Sequence, residues 1–261
     1  MRTWQIMIIF LLIYPAWAGA QENWRNLAPG MEVCQISANT PSGSGSPNLQ
    51  VLRIDPARYR FQVLYDPPNN FTAATWREES RALLVCNIGQ YDKNLHSLGL
   101  LVKDGIVYSP LVANQQGLFL AETDDPSLPP ARILDMRYSA FDEKHNPYLQ
   151  AAQSLMLLDR YGQIRVRQSN RLAHRTLLGQ DDNGNIIIMI SEGRHTLWEL
   201  AQYLSGVGWL RELMCMDGGS EAQLAIKVND YSYERYGAPQ SLPDLPWPAA
   251  KLPMALAIFA R

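Results

Sequence analysis

Apolar residues recur along this chain with two different periods, and the change from one to the other marks its elements. Leu49 to Asp55 and Tyr59 to Tyr65 alternate apolar and polar side chains, the pattern of strands with one buried face. Pro56-Ala57-Arg58 separates them, which predicts an antiparallel pair. Met31 to Ser37 reads as an earlier strand. The Ser/Gly/Pro stretch Ala38 to Asn48 is too polar to pack and is expected to be a long hairpin connection rather than a domain boundary. Ala73 to Arg81 suits a short helix, and the continuous apolar run Ala82 to Cys86 suits a buried strand. Leu98 to Val102 and Ile106 to Tyr108 flank Lys103-Asp104-Gly105, a strong hairpin signal, and Leu155 to Asp159 with Gln163 to Val166 repeat the arrangement around Tyr161-Gly162.

Leu177 to Ile226 is the most legible segment. Asp182-Asn183-Gly184 closes a turn between Leu177 to Gly179 and Asn185 to Ile190, whose run of isoleucines and methionine suits a strand covered on both faces. The period then becomes helical. Thr196 and Glu199 form a capping box, Leu197, Leu200, Ala201 and Leu204 share one face, and Gly206 and Gly208 stop the helix. Glu212 to Met216 is again strand-like. Strand, helix, strand at this spacing predicts a C-terminal βαβ unit with parallel strands, and hence an α+β fold.

Composition narrows the class. The chain has 261 residues, 47% hydrophobic and 18% charged, with a net charge of −2. That excludes a disordered chain and lacks the basic surplus that binding to phosphate backbones requires, so no nucleic-acid partner is expected. At the start, Met1-Arg2 precedes a nearly unbroken apolar run from Trp4 to Trp17 and the small residues Ala18-Gly19-Ala20. Residues 1–20 therefore read as a cleaved secretory signal, leaving 21–261 as one domain in a periplasmic or extracellular space with no stable membrane anchor. Cys34, Cys86 and Cys215 lack metal-site or redox spacing and sit among apolar neighbours, so they are read as small buried hydrophobes, with one disulfide left open. His96, His145, His174 and His195 stand in no nucleophile motif and are read as solvated or capping residues. No metal and no cofactor is expected.

The βαβ reading carries the chemistry. Glu192 directly follows the first strand and Asp217 the second, so both carboxylates reach one rim, roughly 5–10 Å apart depending on whether a third strand intervenes. Carboxylate pairs at that separation hydrolyse glycosidic bonds. Gly218-Gly219 can offer backbone N–H groups to an anion, and Arg175 can clamp a phosphate. Taken alone, Asp-Gly-Gly is more often a strand-ending turn and a single arginine more often a surface cation.

Four blocks together resemble the phosphodiester glycosidase family over about Met31 to Arg261. They are Cys86-Asn87-Ile88-Gly89-Gln90-Tyr91-Asp92 with Leu98-Gly99-Leu100, then Ala152 to Leu157, then Arg175-Thr176 with Gly179, and finally Ile190-Ser191-Glu192 through Met216-Asp217-Gly218-Gly219. The resemblance implies one α+β domain with a mixed, curved sheet, and hydrolysis of a sugar-1-phosphodiester or related glycosidic bond in envelope or extracellular glycans. It implies Glu192 and Asp217 as catalytic residues, and Asn87, Gln153, Ser154, Arg175, Gly218 and Gly219 as substrate-binding residues. The partner would be a carbohydrate or sugar phosphate. Leu155-Met156 stand where the family often has Gly-Pro, and Glu221 follows Ser220 where small residues are common. The alternative reading is a catalytically silent glycan-binding protein on the same fold, with Trp76, Trp198, Trp209 and Trp247 as stacking residues.

Overall fold

The computed structural model describes residues 22–239 and 248–261, so the predicted leader at 1–20 and Trp247 lie outside the described residues. In chain order the strands are β1 (Arg25–Ala28), β2 (Met31–Ser37), β3 (Asn48–Ile54), β4 (Tyr59–Tyr65), β5 (Leu84–Asn87), β6 (Leu101–Lys103), β7 (Ile106–Ser109) and β8 (Gly117–Thr123). They continue as β9 (Ala131–Asp135), β10 (Tyr148–Leu158), β11 (Thr176–Asp181), β12 (Ile186–Ser191), β13 (Leu210–Cys215), β14 (Gln223–Val228), β15 (Tyr231–Tyr236) and β16 (Met254–Ala260). Two α-helices, α1 (Ala73–Ser80) and α2 (Leu197–Ser205), complete the regular structure with two single-turn 3-10 segments.

Two sheets result. The larger runs β1-β2-β3-β12-β11-β13-β10-β6-β7, with β8 and β9 also attached through β10, and the smaller runs β15-β14-β5-β16-β4. Their inner faces meet in one core, where Phe61 of β4 and Phe119 of β8 pack edge to face at 5.8 Å between centroids among Leu52, Ile188, Met214 and Leu256. On the far face of the large sheet, Leu200, Ala201 and Leu204 of α2 close a second core over Val51, Leu177, Met189 and Leu213. The small sheet is covered by α1 through Ala73 and Trp76. β12 is buried throughout because its Ile186, Ile188 and Ile190 enter the first core while Ile187 and Met189 enter the second. That is the physical meaning of its unbroken apolar run.

Three expectations are corrected. The fold is mainly β, not α+β with a mixed sheet and a βαβ unit, because every strand pairing among the described residues is antiparallel. The crossover from β12 through α2 to β13 does occur, but β11 lies between those strands and bonds antiparallel to both. Sequence period reports which face of a strand is buried, not which strand becomes its neighbour. The second correction has the same cause: β3 and β4 do not pair, since the turn at Pro56-Ala57-Arg58 carries the chain from the large sheet to the small one. The third concerns His174 and His195, which are buried rather than solvated, whereas His96 and His145 are exposed beside Asp92 and Asp142.

Other local signals hold. Ala38 to Pro47 joins the antiparallel β2 and β3 as a hairpin connection. Asp104 and Gly105 both take positive φ, 52° and 77°, as a two-residue turn between β6 and β7 demands. Thr196 caps α2 by accepting from the Glu199 N–H at 3.2 Å. The Glu199 carboxylate does not complete the box, and instead accepts from Ser42 Oγ at 2.8 Å and Ser42 N at 3.2 Å, tying the Ser/Gly loop to the helix.

Candidate active site

β11 brings its first residues to the rim where β12 and β13 end. Thr176 faces Ile190 and Leu177 faces Cys215, so one step further out Arg175 stands between Ser191 and Asp217. The Arg175 N–H donates to Ser191 Oγ at 2.8 Å, and Ser191 N–H to the Arg175 carbonyl at 2.9 Å. Leu177, Met189 and Cys215 point to the α2 side, so the side chains of Arg175 and Asp217, two residues along each strand, share that side. There they line a cavity of about 140 Å³ with Gln90, Leu155, Ser169, Arg171, Leu197, Cys215, Met216 and Gly218.

Asp217 is poorly solvated and poorly paired. Its carboxylate accepts the Gly218 N–H at 3.2 Å and a backbone bond from Tyr91. Burial, followed by the charge of Glu221, pushes its pKa up to about 6, and these two backbone donors only partly oppose that rise. Arg175 is buried at 6% exposure, so the surface-cation reading does not apply to it. Its Nε donates to the His195 carbonyl at 3.0 Å and its Nη2 to the Arg171 carbonyl at 2.7 Å. Burial lowers the pKa of its guanidinium below the usual value, with the Asp217 charge acting against that. Gly218 lets the guanidinium approach, because a Cβ there would stand 2.7 Å from the His174 carbonyl and 3.3 Å from Arg175 Nη1. Gly219 takes φ of +76°, the left-handed region that glycine occupies without cost.

The remaining expected residues divide by place. Asn87 braces the loop, its Nδ2 donating to the Asp217 carbonyl at 2.9 Å and its Oδ1 accepting from the Gln223 N–H. Ser154 Oγ donates to the Cys215 carbonyl at 2.5 Å, fixing β10 to β13 behind the cavity. Gln153 is buried and fully used, its Oε1 accepting from Leu100 and Val112 and its Nε2 donating to the Val112 and Gln115 carbonyls. Glu192 is not brought to the cavity. Its carboxylate accepts from Gln35 Nε2 at 3.0 Å, Ser46 Oγ at 2.8 Å and Asn48 Nδ2 at 3.2 Å, and β11 intervenes between it and Asp217. Gln90, Ser169 and Arg171 line the cavity unanticipated by sequence, and Glu221, outside the lining, supplies the like charge that acts on Asp217. Gln90 belongs to the family-like stretch Cys86 to Asp92; Ser169 and Arg171 sit in a polar stretch with no period, where only the density of arginines hints at a site.

The other chemistry-bearing groups stand apart. Cys34, Cys86 and Cys215 are free and buried, and burial pushes their thiols up to about 12, 12 and 11, which leaves them inert at neutral pH. Trp76 is a core residue whose Nε1 donates to the Leu252 carbonyl, and Trp209 packs against Trp24 with the Arg53 guanidinium nearby.

Residues 80–258 match the family model of the phosphodiester glycosidases. The chain belongs to this family. Membership supports a glycosidase-type hydrolase with a carbohydrate substrate. Among solved structures, the phosphodiester glycosidase fold is shared with the zebrafish N-acetylglucosamine-1-phosphodiester alpha-N-acetylglucosaminidase catalytic domain, auto-inhibited by its pro-peptide. That likeness has a TM-score of 0.62 at 16% identity over 90% of this chain and 85% of that one. A hypothetical protein from Synechocystis gives a TM-score of 0.68 at 15% identity over 94% and 64%. A candidate exported protein from Burkholderia pseudomallei K96243 gives 0.51 at 11% over 83% and 75%. No curated protein matches the chain. The family match spans every residue lining the Asp217 cavity, whereas Gln35, Ser46 and Asn48, which hold Glu192, lie before it. Among the described residues no helix is long and apolar enough to cross a membrane.

Proposed function

We propose that this phosphodiester glycosidase cleaves the bond between an anomeric carbon and a phosphodiester oxygen in envelope or extracellular glycans, acting in a periplasmic or extracellular space. One observation carries the reading: a single carboxylate, Asp217, shares its cavity with a buried guanidinium, Arg175, held at one strand rim. Arg175 Nη1 receives the phosphate, which leaves as a good leaving group and needs no proton, while the Gly218 and Gly219 N–H groups are held by Asp217 Oδ1 and the His174 carbonyl and shape the loop instead. Asp217 in its ionised form takes a proton from the incoming water. The water oxygen bonds to the anomeric carbon as the carbon–oxygen bond to phosphorus breaks, giving free sugar and a phosphate monoester.

A base with a pKa of about 6 is ionised at neutral pH yet basic enough to accept that proton. Asn87 and Ser154 hold the loop and strand that position it, and Glu192 acts outside the cavity, as an anchor for the Ser/Gly loop. Incubation of residues 21–261 with N-acetylglucosamine-1-phosphate methyl diester tests this by released sugar. Release by the natural chain, and its loss in Asp217→Asn, is the expected result; equal release by both would overturn the mechanism. Diester binding without any release would instead favour the silent glycan-binding alternative.

A further inference from the structure

Arg175 cannot hold a phosphodiester alone. Two of its three guanidinium nitrogens already donate to backbone carbonyls, of His195 and Arg171, and only Nη1 makes no hydrogen bond among the described residues. A phosphodiester presents two non-bridging oxygens sharing one negative charge, and the strong mode of arginine recognition uses two parallel donors. The second donor has a clear source. Arg171 lines the same cavity, its backbone is fixed by the Arg175 bond, and its exposed side chain makes no hydrogen bond or ion pair among the described residues. Its charge also reaches both Arg175 and Asp217.

We infer that Arg171 is the adjustable half of a two-arginine anion clamp, and that this clamp makes the site select a charged sugar phosphodiester over a neutral glycoside. The inference rests on the cavity proposed above as the substrate site. Arg175, locked in place, fixes where the phosphorus lies; Arg171, free until substrate arrives, closes on the second oxygen. Selection follows because a neutral aglycone leaves two guanidinium charges facing the single Asp217 carboxylate, one positive charge in excess.

Arg171→Gln is the informative variant, since it removes the guanidinium and keeps the carbonyl that holds Arg175. Calorimetry with inorganic phosphate and with glucose-1-phosphate should show binding weakened by about 10-fold or more, as expected for one charge-assisted hydrogen bond, and a shallower salt dependence. In turnover, KM for the methyl diester should rise more than kcat falls, and the preference for that diester over a neutral nitrophenyl glycoside, read as the ratio of their kcat/KM values, should shrink. Unchanged phosphate affinity in Arg171→Gln, or no phosphate binding by the natural chain, overturns the clamp. Arg171-dependent phosphate binding without diester hydrolysis upholds the clamp and removes the hydrolytic reading. Diester hydrolysis with an unaltered KM in the variant does the reverse.

Discussion

Glu192 and Asp217 end strands of the same sheet on the same rim, yet their surroundings are opposite. Glu192 meets three neutral side-chain donors, from Gln35, Ser46 and Asn48, and its charge is well served. Asp217 is desolvated, has Glu221 as a like-charged neighbour, and receives only backbone donors. A carboxylate surrounded by matched donors is a strut, because its lone pairs are already used in holding neighbouring segments. A carboxylate denied them is held near its titration point and is available for proton transfer. Rim position is thus a poor guide to role, and the donor count is a better one.

The largest test of that contrast is kinetic. Asp217→Asn should lower kcat by about 10²–10⁴-fold, whereas Glu192→Gln should leave kcat within a few-fold of the natural chain. Equal losses in the two variants would falsify the division of roles. Next is Gly218→Ala, whose Cβ would press on the His174 carbonyl; a loss of about 1–3 kcal/mol in denaturant unfolding is expected, with phosphate affinity falling as Arg175 is displaced.

Stability should then separate the carboxylates with opposite signs. The folded-state pKa of Asp217 lies above the usual carboxylate value, so folding disfavours its charge and stability falls as pH rises from about 4 through about 6. Asp217→Asn removes that loss and should be more stable than the natural chain at pH 7 by about 1–3 kcal/mol, with no gain at pH 3. Glu192→Ala strands the donors of Gln35, Ser46 and Asn48 and should cost about 1–2 kcal/mol at pH 7. Matching signs in the two urea titrations would break the comparison. The smallest effect is on the pH profile. kcat/KM should climb to a plateau above about pH 6, and Glu221→Gln should move that midpoint to lower pH, since one of the two causes raising Asp217 is then gone. A midpoint that stays put would assign the whole rise to burial.

Much of this was legible in the chain. The Asp104-Gly105 turn, the Thr196 cap, the double burial of β12 and the family blocks each depend on neighbours a few residues away, or on order alone. Strand adjacency was not legible, because the sequence does not state that β11 folds back beside β12 and then accepts β13 on its other edge. The same blindness paired β3 with β4 and put Glu192 with Asp217. It also hid Arg171, whose value comes from what Arg175 has already spent on backbone carbonyls. β8, β9 and β14 to β16 lie between or beyond the clearest signals; β8–β9 and β14–β15 are neighbouring pairs, but β8 joins β10, β14 joins β5 and β16 joins β4 and β5, partners more distant in sequence.

The position of β11 also bears on how the protein is made. β11 and β12 form a local hairpin, closed by Asp182-Asn183-Gly184, that can assemble early and already carries Arg175. Asp217 reaches Arg175 only after α2 has crossed the sheet and β13 has zipped onto the free edge of β11, a contact of much longer sequence range and slower closure. A chain arrested before that step has an arginine at the rim and no base beside it. Under the proposed mechanism, hydrolysis therefore requires β13 seated beside β11, and no part of the chain lacking that strand holds Arg175 and Asp217 together.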